Sequence, residues 1–342
     1  MKRWEGYEHG VNLGGWFSQC DHTKERYDGF IRENDLEKIG SWGLDHVRLP
    51  VDYNLVEDRQ GNYIEEGFAY IDKVAGWCGK YGLNMILDLH KTFGFSFDAG
   101  ENETGFFENK DHQERFIRLW EKFAERYGNT GDSLAFELLN EVTEKEYCDK
   151  WNEISRRCIE RIRAIAPDVK ILVGGYYNNS IEALPDLLPP YDDNVVYNFH
   201  CYEPLIFTHQ GAYWIPQMDR SLRLSIDEPY SVLAEETEKN IGQVPVGFED
   251  FDQTESLGKE FFERLFSEAV KVAEERNVAL YCGEYGVINL ADPADTLRWY
   301  QMAGETFNKY GIGRAAWTYR EKDFGLDDEH MAGVLKELLK YL

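Results

Sequence analysis

Paired cysteines are absent from this chain of 342 residues. Its six cysteines are scattered, no two form a Cys-x-x-Cys pair, and none lies near histidines at the spacing of a zinc site. Neither a disulfide framework nor a structural zinc site is therefore indicated, and we expect reduced cysteines in the core. They are Cys20, Cys78, Cys148, Cys158, Cys201 and Cys282.

Long apolar runs are also missing. No segment approaches the roughly 20 apolar residues that span a bilayer as a helix, and the basic start Met1-Lys2-Arg3 is not followed by the apolar stretch of a secretory signal. We therefore expect a soluble cytoplasmic protein that does not bind membranes. Export through a trimmed or unconventional signal stays open as an alternative.

Basic residues are few compared with acidic ones. The chain has 37 Lys and Arg against 63 Asp and Glu, a formal net charge of -26, so phosphate backbones and anionic polysaccharides are repelled over most of the surface. Hydrophobic residues make up 43% and aromatic residues 15%, which is typical of a globular protein. We expect a neutral partner and no binding of nucleic acid.

Several catalytic and phosphate-binding motifs are missing as well. The sequence has no Gly-x-Ser-x-Gly elbow, no glycine-rich phosphate loop and no His-Glu-x-x-His pair. Asn102-Glu103-Thr104 and Asn178-Asn179-Ser180 match the glycosylation pattern, which has meaning only in a secreted protein.

What the sequence does contain is an alternation of short apolar runs with longer segments of helical period. The near-continuous apolar character of the short runs is typical of a parallel sheet that is covered on both faces. The pattern predicts an α/β fold, a (β/α)8 TIM barrel, as a single domain over residues 1–342. The predicted strands are Gly10 to Leu13, His46 to Leu49, Asn84 to Leu89, Leu134 to Leu139, Lys170 to Val173, Val195 to Phe199, Ala279 to Gly283 and Gly313 to Trp317.

One connection is much longer than the others. From Pro204 to about Gly258 the chain is too long for an ordinary loop, and its apolar residues predict some core of its own. We expect a helical subdomain, residues 204–258, inserted after strand 6 of the barrel.

Polar and aromatic side chains collect where the predicted strands end, which is the rim that carries function in such barrels. Glu141 follows Asn140 at the end of strand 4, and Glu284 ends strand 7. Two carboxylates on one rim can act together on one bond. The other residues at the strand ends are Arg48, His90, His200, Tyr202 and Trp317.

Together these residues resemble the catalytic set of glycoside hydrolase family 5, in the clan of barrels with glutamates on strands 4 and 7. The likeness is greater to the endoglucanase C-type cellulases, which carry a helical insertion after strand 6. The segments that carry it are Gly10-Val11-Asn12-Leu13-Gly14-Gly15-Trp16, Phe136-Glu137-Leu138-Leu139-Asn140, Tyr197-Asn198-Phe199-His200, Phe207-Thr208-His209-Gln210 and Tyr281-Cys282-Gly283-Glu284.

Retaining cleavage of an acetal needs one carboxylate that attacks the anomeric carbon and one carboxylic acid that protonates the departing oxygen. We assign Glu284 as the nucleophile and Glu141 as the acid/base, with their carboxyl groups about 5 Å apart. Arg48 and Tyr202 are expected to contact Glu284 and keep it ionised, and His200 is expected to hold Glu141.

Asn140 is expected to bind the sugar 2-hydroxyl, His90 other hydroxyls of the same sugar, and Trp317 one face of its ring. The resemblance also implies a cis peptide bond between Trp317 and Thr318. Trp16 and Trp214 are candidates for further subsites. Tyr213 and Tyr319 are two more.

We therefore expect a monomeric, retaining endo-β-1,4-glucanase without metal or other cofactor, acting on β-glucan oligo- or polysaccharides in an open cleft. The Gly-Gly-Trp opening also occurs in exo-1,3-glucanases of the same family, so an exo-β-1,3-glucanase or a β-mannanase stays open as an alternative. A catalytically inactive carbohydrate-binding barrel is a further one.

Overall fold

Eight parallel strands close into a barrel in which each strand pairs with the next and the last pairs with the first. The computed structural model describes residues 1–98, 101, 103–242 and 247–342. The strands are β1 (His9–Asn12), β2 (His46–Asp52), β3 (Asn84–Lys91), β4 (Leu134–Glu137), β5 (Ile171–Val173), β6 (Val195–Cys201), β7 (Ala279–Tyr285) and β8 (Gly313–Ala316). The predicted (β/α)8 barrel is thereby confirmed.

Helices surround the barrel, and the long ones bury one face against it. In one of them, the 18 residues from Lys110 to Tyr127, the apolar residues Phe116, Leu119, Trp120 and Phe123 are buried at helical spacing. The described helices are α1 (Lys24–Gly29), α2 (Glu33–Ser41), α3 (Tyr53–Val56), α4 (Glu65–Tyr81), α5 (Lys110–Tyr127), α6 (Cys148–Arg163), α7 (Tyr176–Asn179), α8 (Leu205–Thr208), α9 (Tyr230–Asn240), α10 (Lys259–Glu275), α11 (Pro293–Tyr310) and α12 (Leu335–Leu338). Short 3-10 helices lie at Gly131–Ser133, Lys145–Tyr147, Ile181–Asp186, Phe248–Asp250 and Glu329–Met331.

Several strands run further toward the functional rim than the apolar pattern predicts. β2 continues to Asp52, β3 to Lys91 and β7 to Tyr285, and every residue of β2 and β7 is buried. The polar end residues of two of these strands are paired with charged groups, since Lys91 binds Asp98 and Glu101 and Asp52 lies 3.3 Å from His22. The fourth strand differs in the other direction, since β4 ends at Glu137 and not at Leu139.

The amino-terminal end of the barrel is filled by aromatic side chains. Trp4 stacks on Tyr7 with ring centroids 4.0 Å apart and meets the edge of Tyr281 at 5.2 Å. Small residues of other strands, such as Ala135 and Ala315, complete this buried cluster. The packing closes that end, so the polar residues of the strands gather at the opposite, carboxyl-terminal rim.

The long connection after β6 contains α8, α9 and the 3-10 helix at Phe248–Asp250. Its aromatic residues pack toward the start of α10: Tyr230 stacks on Phe251 at 4.9 Å, and Phe248 lies 5.7 Å from Phe261. These residues belong to the same buried cluster as the barrel core, and not to a separate one. The limits of the subdomain, 204–258, stay a prediction.

The six cysteines lie within the described residues, and all of them are free thiols. Four of them, Cys78, Cys158, Cys201 and Cys282, are buried, while Cys20 and Cys148 are partly exposed. In the described part of the chain, no helix has the length and apolar character needed to cross a membrane.

Candidate active site

Two glutamates face each other across the carboxyl-terminal end of the barrel. Glu141 follows β4, Glu284 is part of β7, and both side chains are largely buried. One carboxylate oxygen of each lies within 4.8 Å of the other, and a ring nitrogen of His200 lies within the same distance of both. Carboxylates about 5 Å apart leave no room for a water molecule between them and the bond they cleave, which is the geometry of retaining hydrolysis.

Arg48 anchors one of the two glutamates from the barrel interior, where the guanidinium has no exposure to solvent. Its Nη1 donates a hydrogen bond of 2.8 Å to Glu284 Oε1. Its Nε and Nη2 donate to the two oxygens of Glu137 at 2.7 and 2.8 Å, and Nη2 lies 3.0 Å from Asp88 Oδ2. One buried cation therefore joins three carboxyl groups and fixes the position of Glu284.

The second oxygen of Glu284 is held by Tyr202. The phenol hydroxyl donates to Oε2 at 2.9 Å, and burial raises the pKa of Tyr202 well above its usual value. The hydroxyl therefore keeps its proton and acts as a donor at neutral pH. With a donor on each oxygen, the carboxyl group of Glu284 is held in one orientation.

Glu141 is bound by His200, whose Nδ1 lies 2.7 Å from Oε1. Burial lowers the pKa of His200 to about 4, so the ring is neutral at neutral pH. Its Nε2 accepts from the side-chain amide of Asn179 over 3.3 Å, which leaves the ring proton on Nδ1 as the donor to Glu141. Burial also raises the pKa of Glu141 above its ordinary value of 4.5, so the carboxyl group retains a proton more readily.

Asn140 offers an unused donor to the cleft. Its Oδ1 accepts from Arg48 Nη2 at 2.7 Å, while its buried Nδ2 has no partner among the described protein atoms. A buried amide without a partner is costly unless a ligand or water completes it. This N–H group is therefore available for a hydroxyl of a bound molecule.

Trp317 and His90 form a flat wall of the site. Their rings are parallel with centroids 5.8 Å apart, and Trp317 is 6% exposed. The indole also lies against Gly14, where an added Cβ atom would come within 2.7 Å of it. The peptide bond between Trp317 and Thr318 is cis, as the family resemblance implies.

His90 is held by Asp88, with Nδ1 and Oδ2 2.5 Å apart. Burial lowers the pKa of His90 to about 4, so the ring is neutral at neutral pH. A neutral imidazole with one nitrogen engaged by a carboxyl group presents its other nitrogen for hydrogen bonding to a ligand.

The four candidate subsite aromatics divide into two groups. Trp214 and Tyr213 are 39% and 68% exposed, and Trp214 packs edge to face on His209 at 5.8 Å. His209 in turn contacts Tyr202 at 5.0 Å, which connects this group to Glu284.

Trp16 and Tyr319 are not exposed to the cleft. Trp16 is 1% exposed, stacks on Phe17 at 4.2 Å and donates its N–H to the carbonyl oxygen of Tyr27. Tyr319 is buried and donates its hydroxyl proton to Asp35. Since the polar atoms of both rings are satisfied inside the core, the structure gives these two residues a packing role in place of the predicted subsite role.

Among the polar residues of the site that were not identified from the sequence, three lie around Arg48 in the barrel interior. Glu137 and Asp88 bind Arg48, and Asn198 donates to Glu137 Oε1 at 2.8 Å while accepting from the backbone N–H of Gly283 at 2.9 Å. A signal for Glu137 exists, because an acidic residue within an apolar strand requires a buried cation nearby.

Glu141, His200 and Glu284 lie close enough together to ligate a cation. Arg48 and Tyr202 already donate to both oxygens of Glu284, and His200 donates Nδ1–H to Glu141. Three of the four carboxylate oxygens thus each accept a hydrogen bond from these groups, an arrangement suited to proton transfer and nucleophilic attack.

A polar cavity of about 580 Å³ opens on the same rim, at the ends of β2 and β3. Asp52 and Lys91, the last residues of these strands, line it together with His22 and Glu101. Such a lining offers both donors and acceptors for hydroxyl groups.

A (β/α)8 barrel with two closely spaced carboxyl groups on strands 4 and 7, one paired with arginine and the other able to retain a proton, defines a glycoside hydrolase. The chain belongs to the cellulase family, glycosyl hydrolase family 5, whose family model matches residues 4–323.

Two relatives cover nearly the whole chain. This chain is 50% identical over 314 residues to cellodextrinase A of Ruminococcus flavefaciens, and the match covers 92% of this chain and 86% of that protein. It is 37% identical over 340 residues to endoglucanase C of Acetivibrio thermocellus, covering 98% of each. Among solved structures, endoglucanase Cel5A from Thermotoga maritima matches with a TM-score of 0.79 at 23% identity, covering 99% of this chain and 98% of that one. This last match supports the fold.

Proposed function

We propose that the protein is a retaining endo-β-1,4-glucanase that cleaves soluble β-glucans and cello-oligosaccharides. The observation that carries the proposal is the spacing of Glu141 and Glu284 within 4.8 Å, combined with their different surroundings. Two carboxyl groups with opposite protonation states are what double displacement at an acetal needs.

In the first step, Glu284 attacks the anomeric carbon while Glu141 gives its proton to the departing glycosidic oxygen, which forms a glycosyl-enzyme ester. In the second step, Glu141, now ionised, removes a proton from a water molecule that attacks the same carbon and releases Glu284. Two inversions give a product with the β-configuration of the substrate.

The surroundings of each glutamate suit these roles. Arg48 and Tyr202 each donate to one oxygen of Glu284, which orients the carboxylate for attack. Burial raises the pKa of Glu141, which favours the protonated form before bond cleavage. Once Glu284 is esterified its negative charge is gone, so loss of the proton from Glu141 becomes easier and the second step can follow.

Three residues are proposed to bind the sugar that is attacked. Asn140 Nδ2 is the donor for its 2-hydroxyl, an interaction that strengthens in the oxocarbenium-like transition state. His90 binds a neighbouring hydroxyl, and Trp317 covers one face of the ring, for which its apolar indole is suited.

The substrate class follows from charge and from the relatives. A chain of net charge -26 suits an uncharged polymer. The names of two relatives, a cellodextrinase at 50% identity and an endoglucanase at 37%, favour β-1,4-linked glucose and include short chains. The exposed Trp214 and the polar cavity beside β2 and β3 supply surfaces for further sugars on the rim.

The test is release of reducing ends from a panel of uncharged substrates: cellotetraose, hydroxyethyl cellulose, barley β-glucan, laminarin and mannan. We expect turnover of the first three, and newly formed β-anomers when products are followed by NMR. Activity confined to laminarin or mannan would replace the proposal by the exo-β-1,3-glucanase or β-mannanase alternative. Binding without turnover would indicate the inactive barrel.

A further inference from the structure

The chain makes an unusual turn directly after β5. Tyr177, Asn178 and Asn179 all adopt left-handed backbone conformations, with φ of 50°, 57° and 57°. Single residues other than glycine visit this region uncommonly, asparagine more readily than most, and three in succession need support from their surroundings.

That support comes from the residues on either side of Glu141. The backbone N–H of Tyr177 donates to the carbonyl oxygen of Thr143 at 3.2 Å, and that of Asn178 donates to Val142 at 3.0 Å. On the other side, the side-chain amide of Asn179 donates to the backbone oxygen of Asn140. The left-handed turn is therefore hydrogen-bonded to the segment 140–143 on both sides of Glu141.

The close approach of this turn depends on a glycine. A Cβ atom at Gly174 would lie 2.1 Å from Oδ1 of Asn179, so any larger residue there would displace the turn. Asn179 is buried and also sets the ring proton of His200, as described above. Asn179 therefore acts on Glu141 indirectly, through the backbone of Asn140 and the ring of His200.

Asn178 contacts the carboxyl group directly. Its Nδ2 donates to Oε2 of Glu141 at 2.7 Å, while His200 holds Oε1. Asn178 is an exposed residue, and this contact with Glu141 is partly buried. We propose that Asn178 is a positioning residue for the acid/base Glu141, fixing its orientation and tuning how readily it gives up its proton; this rests on the function proposed above.

The chemistry gives the direction of the effect. An amide N–H donates more strongly to a carboxylate than to a neutral carboxyl group, so the bond from Asn178 lowers the pKa of Glu141 against the larger, opposite effect of burial. Other charged and titratable groups act on the same carboxyl group: Arg48, Asp88, His90, Asp98, His200, Tyr202 and Glu284. None of these changes when Asn178 alone is substituted, so a shift can be assigned to its amide.

Two variants separate the side chain from the backbone. Asn178→Gly removes the amide and tolerates the left-handed conformation, and Asn178→Asp keeps the size but places an acceptor where the donor was. Asn277→Gly is the matched control, because Asn277 is also exposed and left-handed, with φ of 49°, but precedes β7 at the opposite end of the barrel.

Two substrates separate proton transfer from binding. Cellotetraose has a sugar leaving group that requires a proton, whereas dinitrophenolate leaves from 2,4-dinitrophenyl β-cellobioside without one. For Asn178→Gly we expect kcat/KM to fall about tenfold on cellotetraose and less than about threefold on the aryl glycoside. The alkaline limb of the cellotetraose profile should move up by about one pH unit, and further in Asn178→Asp. Asn277→Gly should match the parent enzyme.

Equal losses on both substrates, or an unmoved alkaline limb in both variants, would overturn the inference and leave Asn178 a turn residue. Glu141→Gln distinguishes this result from failure of the proposed function. If Glu141→Gln loses cellotetraose turnover but keeps rapid release of dinitrophenol, the acid role holds and only the role of Asn178 fails. If Glu141→Gln shows no such difference between leaving groups, the proposed function itself fails. Thermal midpoints close to that of Asn277→Gly confirm that both variants of Asn178 are folded.

Discussion

The guanidinium of Arg48 binds Glu284 through a single hydrogen bond of 2.8 Å, from Nη1 to Oε1. Its Nε–Nη2 edge binds Glu137. The bidentate pair with Glu137 fixes the plane of the guanidinium, and this plane determines where Nη1 points. Glu284 is therefore positioned by a residue two contacts away inside the barrel. The site is a continuation of the buried ionic core and not only a feature of the rim.

Replacing the proposed nucleophile should change both the rate and the stereochemistry. Glu284→Gly should lower turnover of cellotetraose by roughly 10⁴-fold or more, because no group remains to form the ester. Azide can occupy the vacated space and attack from the same side, so an activated aryl β-cellobioside should give an α-glycosyl azide, identified by NMR. A β-glycosyl azide would reverse the roles of Glu284 and Glu141.

Glu137→Gln should destabilise the protein although it changes no residue of the cleft. A glutamine places an N–H group against one of the two donors of Arg48, Nε–H or Nη2–H, and removes one of the charges that balance the buried cation. We expect the free energy of unfolding to fall by about 2 to 4 kcal/mol in urea denaturation.

Glu275→Gln is the control for this change, since Glu275 is exposed near the end of α10 and its substitution should alter stability by less than about 0.5 kcal/mol. Activity of Glu137→Gln should fall as well, because Arg48 loses its fixed plane. A variant with unchanged stability and activity would show that Glu137 does not position Arg48.

The pH profile should report the proton on Glu141. Because the group must be protonated to act as an acid and burial raises its pKa above 4.5, kcat/KM on cellotetraose should decline only as the pH rises through this raised value. In Glu141→Gln, assayed with 2,4-dinitrophenyl β-cellobioside, this alkaline decline should disappear from the first step. If it persists there at the same pH, another group is responsible for it.

The sequence predicted the barrel, and it predicted that Glu141 and Glu284 meet at one rim, because both depend on local signals. Apolar runs marked the strands, and Glu141 and Glu284 stood where the runs ended. It failed for Trp16, because an aromatic residue near the rim can point either into the cleft or between helices. Only packing decides this, here against Phe17 and the carbonyl of Tyr27.

Glu137 and Asn178 were missed for different physical reasons. Glu137 lies inside an apolar run, and its buried partner Arg48 is distant in sequence, so their pairing appears only when the barrel closes. Asn178 depends on a left-handed turn that no periodic pattern indicates, and its sequence drew attention only as a glycosylation pattern.

Gly14→Ala should displace the indole of Trp317. The added methyl group would lie 2.7 Å from the ring, closer than carbon atoms approach, so the indole or the backbone must move. We expect KM for cellotetraose to rise about threefold or more, with a smaller change in kcat.

Gly79→Ala in α4 is the control, because nothing lies within 4 Å of its Cβ position and alanine should stabilise the helix by about 0.5 to 1 kcal/mol. Identical kinetic constants in the two variants would contradict the proposed role of Trp317 in binding the sugar.

Trp214→Ala tests whether the segment after β6 binds distant sugars. The indole is 39% exposed and reaches the site through His209 and Tyr202, so a sugar stacked on it would lie beyond the one attacked by Glu284. Binding energy from a remote sugar lowers the transition state only when that sugar is present. We therefore expect kcat/KM to fall about tenfold on barley β-glucan and on long cello-oligosaccharides, and much less on a short aryl glucoside.

The matched control is Tyr191→Ala. Tyr191 is 41% exposed and precedes β6 at the opposite end of the barrel, so this variant should leave kcat/KM unchanged on long and short substrates. Equal losses on long and short substrates would mean that Trp214 supports Tyr202 through His209 and binds no sugar itself.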